Sequence, residues 1–78
     1  MIADLDLVAL TRNLPAHGLR RGDVGTVVHR YRDGRAFEVE FVAGAGATLA
    51  VLTLAPPDVR PLGGHDIFHV RDLAGPPG

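Results

Sequence analysis

Seventy-eight residues with a formal net charge of −1 make one domain's worth of chain, and at that size folding buries only about 60% of the surface that the unfolded chain exposes. There is no cysteine, and no serine, lysine, tryptophan or glutamine, so disulfides, Cys zinc sites, Schiff-base chemistry and Ser or Cys nucleophiles are excluded. Chemistry is left to the carboxylates, four His, eight Arg, four Thr and Tyr31.

The chain opens with Asp4 and Asp6 where a secretory signal would carry basic residues, so a cytoplasmic protein is expected. Short apolar runs separated by Gly, Pro and Asp-Gly punctuation then predict an all-β fold. The first run, Asp6 to Arg12, places Val8 and Leu10 on one face and Leu7 and Ala9 on the other. A long loop follows to Gly22-Asp23, with Leu14 and Leu19 as its apolar anchors.

Asp33-Gly34, between Val24–Arg32 and Arg35–Val42, predicts a hairpin with a type I′ turn, because Asp tolerates and Gly freely accepts positive φ. Along the returning strand Phe37, Val39 and Phe41 face the core while Glu38 and Glu40 face out. A two-residue loop pairs Phe37 with Arg30, Val39 with Val28, Phe41 with Thr26, Glu38 with His29 and Ala36 with Tyr31. In that register Val27, His29 and Tyr31 point outward, and Arg30 must sit at a barrel mouth, because an unpaired guanidinium in a core is very costly.

From Phe41 to Pro57 there is no charge, but Gly44, Gly46, Thr48, Thr53 and Pro56-Pro57 interrupt the stretch, and it is too short and too broken to span a bilayer. Thr48 to Leu54 is apolar on both faces, as expected of a strand buried between neighbours. Pro56-Pro57-Asp58 predicts a 3₁₀ turn, and Val59 to Leu62 a short closing edge strand where Pro61 is tolerated. The expected domain is a small five-stranded SH3-like β-barrel over residues 1–62. A partly flexible C-terminal extension over 63–78 follows, in which Ile67 to Val70 forms an extra strand or short helix and 74–78 fray.

The residues Asp6-x-Val8-x-Leu10, Leu14-Pro15-x-x-Gly18-Leu19-x-x-Gly22-Asp23-Val24-Gly25-Thr26-Val27-Val28, Tyr31, Phe37-Glu38-Val39-Glu40-Phe41 and Leu52-Thr53-Leu54 carry a resemblance. Over about residues 5 to 62 the chain resembles a bacterial family of small proteins known only as domain of unknown function 4926. The Gly-Asp-Val-Gly-Thr-Val-Val block is also similar to turns of KOW-type and nitrile-hydratase β-like SH3 barrels. The resemblance implies an SH3-like barrel and no established activity.

The candidate site is the outward face of the central hairpin, with Val27, His29, Tyr31, Glu38 and Glu40: an aromatic anchor, an apolar neighbour and a His–Glu pair that a partner protein could bury. The plain alternative is a solvated sheet face. Arg20, Arg21, Arg30, Arg32 and Arg35 could gather into a basic rim, but Asp23, Asp33 and the two glutamates offset them. His65 and His69 are a weak metal candidate, sharing a face only if their segment is helical. Glu38 and Glu40 lie on an exposed sheet without a cleft to tune them, so no catalytic residue and no cofactor are assigned. The expected function is a non-catalytic protein-interaction module, an accessory subunit or antitoxin- or immunity-like partner of another protein, with self-association possible through the extension. The alternative is a KOW-like nucleic-acid or ribosome-associated module, disfavoured by the net charge.

Overall fold

The computed structural model describes residues 2–73. It is all-β, with one five-stranded antiparallel sheet: β1 (Leu7–Leu10), β2 (Val24–Arg30), β3 (Phe37–Val42), β4 (Thr48–Leu54) and β5 (Val59–Pro61), in the order β4-β3-β2-β1-β5. Short 3₁₀ turns at Pro15–His17 and Pro56–Asp58 interrupt the connections. The second lets the chain cross from one end strand to the other, so β5 pairs with β1 as Leu10↔Val59 and Ala9↔Arg60. β4 and β5 are not paired with each other, so hydrogen bonding does not close the sheet into the expected barrel.

The sheet nevertheless wraps one core, because Val8 and Leu10, Val27, Phe37, Val39 and Phe41, Leu54 and Val59 are all buried and in contact. Leu14 and Leu19 join them. They tie the long loop down with paired backbone bonds, Leu14 N–H to Leu19 C=O at 2.9 Å and the reciprocal bond at 3.2 Å, as their apolar character predicts.

The hairpin register is right at the tip and shifts further in. Arg30 pairs with Phe37 and His29 with Glu38 as expected, but Val27 pairs with Val39 and Thr26 with Glu40. A β-bulge at Val28 absorbs one residue, and a one-residue slip exchanges the faces. Val27 therefore points inward and is fully buried, while Val28 is exposed. The bulge lies where β2 also pairs with the N-terminal segment, through Leu5 N–H to Val27 C=O at 2.6 Å and Val27 N–H to Asp6 C=O at 2.9 Å. The tip is not a type I′ turn. Gly34 alone has positive φ (+70°), and its N–H donates to Tyr31 C=O at 2.8 Å. The loop thus has four residues, an even number that preserves the predicted pairing of Tyr31 with Ala36. Arg30 lies partly exposed with its guanidinium against Gly34, at the hairpin tip and outside the core.

β4 departs most from expectation. It is an end strand whose one partner among the described residues is β3, and most of it is exposed. Leu52 and Leu54 stand opposite Val39 and Phe37 on the core side, whereas Val51 and Thr53 stand opposite Glu40 and Glu38 on the outer side. Its two apolar faces thus reflect a core on one side and an uncovered flank on the other. The tail likewise forms neither strand nor helix over Ile67 to Val70, and the expectation for 74–78 lies outside the described residues.

Two arginine forks hold the tail. Arg60 donates twice to Asp66, both at 3.0 Å. Arg71 donates to both oxygens of Asp23 at 2.8 and 2.7 Å and to Gly18 C=O at 3.0 Å. The Arg71 pair is mostly shielded from water, at 20% and 18% side-chain exposure. Bidentate geometry with partial burial makes it worth more than a surface pair. Burial by itself would raise the Asp23 carboxyl. The hydrogen bonds from Arg71 and the Arg20 N–H, with both arginine charges, outweigh it and hold the pKa below the ordinary 3.8. A depressed folded-state pKa stabilises above the unfolded-state value, near 4, and that contribution is lost as pH falls through the folded value. Urea unfolding at pH 7 and pH 3 should therefore show a stability loss in acid that is smaller in Asp23→Asn, and Arg71→Ala should cost about 1–2 kcal/mol at pH 7. Equal acid sensitivity in Asp23→Asn and the parent chain would show that the pair does not stabilise the fold.

Candidate functional site

The outer face of β2, β3 and β4 brings together four of the five residues proposed from sequence. Alternation along β3 turns Glu38 and Glu40 outward between the buried Phe37, Val39 and Phe41. The bulge at Val28 restores outward parity for His29, and Tyr31 follows at the end of the hairpin arm. The imidazole meets the phenol edge-on, with ring centroids 4.8 Å apart at 86°, the favoured quadrupolar arrangement for aromatic pairs. Val27 does not belong to this face, and exposed Val28 replaces it as the apolar neighbour on β2.

Glu38 is the hub. Its Oε1 accepts the Tyr31 hydroxyl at 2.9 Å and the Thr53 hydroxyl from β4. Glu40 does the same on a smaller scale, accepting from Thr48 Oγ1 at 2.7 Å. Nothing in the sequence of β4 marks Thr53 and Thr48 as part of this face, because the strand has the two apolar faces of an interior one. Their signal was register alone: Thr53 stands opposite Glu38, and Thr48 opposite Val42 beside Glu40.

The electrostatics follow from these bonds. The Thr53 and Tyr31 hydroxyls, and then the His29 charge, hold the Glu38 carboxyl below its usual range. Reciprocally, the bond to Glu38 and its negative charge push the Tyr31 phenol above its ordinary value. A carboxylate driven downward is tuned away from general-acid work, which needs a raised pKa. The arrangement instead fixes an aromatic ring by a hydrogen bond at its tip and a ring contact at its side. Val28, Val42 and Val51 are exposed apolar side chains elsewhere on β2, β3 and β4.

The other sequence candidates are not brought together. His65 and His69 lie on a non-helical segment, so four-residue spacing does not align them, and no cluster of three or more His, Asp or Glu suited to a metal occurs among the described residues. Of the basic rim, Arg35 contacts Asp33 at 3.5 Å in an exposed pair. Sequence reasoning missed the cleft of about 520 Å³ between the tail and the sheet, lined by Leu19, Asp23, Phe41, Leu49 and Arg71. Nothing local marks it, since Arg71 and Asp23 are 48 residues apart.

The Gly22-to-Val28 block is explained by this geometry. Gly22 adopts φ +91°, which L side chains resist. Asp23 receives the Arg20 N–H at 2.8 Å as well as Arg71. Gly25 is buried where a Cβ would sit 2.6 Å from Val39 Cγ1 and 2.9 Å from Phe41 Cε1. No curated protein and no solved structure matches the chain. One family model does match, spanning residues 4–61 and hence the whole sheet, and the chain belongs to that family, described as Domain of unknown function (DUF4926).

Proposed function

We propose that this protein is a non-catalytic protein-binding module on an SH3-like arrangement, serving in a bacterial cytoplasm as an accessory subunit or antitoxin- or immunity-like partner. The strand order β4-β3-β2-β1-β5 and the 3₁₀ turn before β5 support the SH3-like reading. The observation that carries the functional reading is the held ring of Tyr31. It is 41% exposed, yet tied at its hydroxyl by Glu38 and flanked by His29. A preordered aromatic loses little entropy on binding, and such residues dominate binding energy at interfaces. A nucleic-acid role is disfavoured because the net charge is −1 and the outer face carries two carboxylates, whereas phosphate binding relies on neutralising cations.

Affinity capture from native cells with the parent chain, Tyr31→Ala and Tyr31→Phe as baits tests this. A specific protein should be retained by the parent chain, with affinity reduced about tenfold or more by Tyr31→Ala and weakly sensitive to salt. Binding of labelled RNA at micromolar concentration and physiological salt, falling steeply as salt rises, would replace this reading with the nucleic-acid one.

A further inference from the structure

We infer that β4 is a self-association edge, and that two copies of the chain join β4 to β4 in antiparallel register to make one continuous sheet. The two ends of the sheet are built differently. β5 is three residues long, contains Pro61, and carries Arg60 held by Asp66, so it has the devices that keep an edge from pairing. β4 is seven residues long, Thr-Leu-Ala-Val-Leu-Thr-Leu, with no charge and no proline, and among the described residues its outer edge is an open row of backbone donors and acceptors. Its flank is apolar too, with Leu49 and Val51 exposed beside Val42 of β3.

The chemistry of this edge selects its occupant. An uncharged strand offers nothing to steer an acidic or basic segment, and it accepts a strand that is itself neutral and apolar. β4 meets that requirement. A two-fold axis at Val51 sets Val51 against its own copy on the outer side and Leu52 of each copy against the small Ala50 of the other on the core side. The bulge at Leu49, between the Phe41↔Ala50 and Val42↔Thr48 pairs, limits the regular ladder beyond Ala50. No like charges are opposed. Glu38 and Glu40 are turned to hydroxyls of their own chain. Across the junction the two β3 strands would lie three strand spacings apart, about 14 Å, beyond the screening length of about 10 Å at 0.1 M salt. Two-fold symmetric dimers are also the commonest closed assembly, and an isologous contact ends growth where an open edge would otherwise template fibres. The dimer would set two Tyr31–Glu38 faces side by side on one surface. The inference is independent of what that face binds.

Sedimentation of the purified chain across a concentration series should show monomer–dimer exchange with a dissociation constant in about the micromolar range, as suits a small interface. Val51→Lys sets two charges against each other at the two-fold axis and should weaken the dimer about tenfold or more, with an unchanged melting temperature under dilute conditions. The chain has no cysteine, so a single introduced one reports cleanly. Val51→Cys should oxidise to a linked dimer much faster than Leu7→Cys on β1. A monomer at every concentration, or a dimer as strong in Val51→Lys and linked equally fast through Leu7→Cys, would overturn the inference.

Discussion

Phe41→Ala should cost about 3–5 kcal/mol of folding stability. Phe41 is 2% exposed and sits in the core with Val39 and Phe37. It also lies against Gly25 of β2, close enough that the ring leaves no room for a methyl group there. Truncation removes a large apolar side chain and leaves a cavity that a rigid sheet cannot collapse to fill. A domain of 78 residues has only about 4–12 kcal/mol to lose, so the substitution should remove about a quarter or more of it. Urea unfolding followed by circular dichroism checks this through the midpoint. Val42→Ala, next along the same strand but exposed, should shift it by less than about 0.5 kcal/mol. Equal effects at the two positions would mean that the faces of β3 are wrongly assigned.

Gly25→Ala should cost about 1–3 kcal/mol, or more if the sheet cannot yield. The added Cβ would meet Val39 Cγ1, Phe41 Cε1 and, at 3.0 Å, the Glu40 carbonyl oxygen. The side-chain atoms belong to core residues without free rotamers, and the carbonyl is fixed in the β2–β3 ladder. Gly25 has no positive φ, so the loss would come from overpacking alone. Gly44→Ala is the matching control, because nothing lies within 4 Å of its Cβ position and its φ is also ordinary. It should be neutral or slightly stabilising through reduced freedom of the unfolded chain. Tolerance at Gly25 equal to that at Gly44 would contradict the close approach of β2 and β3.

Local pattern announced most of the elements. Alternation in Phe37-Glu38-Val39-Glu40-Phe41 identified β3 and its faces, and Leu14 and Leu19 revealed the anchored loop, because burial there follows from adjacent residues. Failures came where a distant partner decides the outcome. The bulge at Val28 appears where the N-terminal segment competes for Val27, and no feature of Val27-Val28 itself encodes it. Two apolar faces suit a central strand, yet β4 is an end strand, because the short 3₁₀ connection through Pro56–Asp58 carries the chain across to pair β5 with β1. That ambiguity also hid Thr53 and Thr48, whose hydroxyls complete the candidate site. At the tip, Asp33-Gly34 correctly signalled a hairpin but not its turn type, since four-residue and two-residue loops share the same parity.

The central claim is that Glu38 holds Tyr31 as a fixed anchor on the outer face. The chain contains one tyrosine and no tryptophan, so ultraviolet titration of the phenol reads this residue alone. The midpoint should lie above the ordinary value of 10, because the Glu38 carboxylate accepts the phenol proton in a hydrogen bond and opposes the phenolate charge, and Glu38→Gln should bring it back toward 10. A midpoint at the ordinary value, unmoved by Glu38→Gln, would contradict the account.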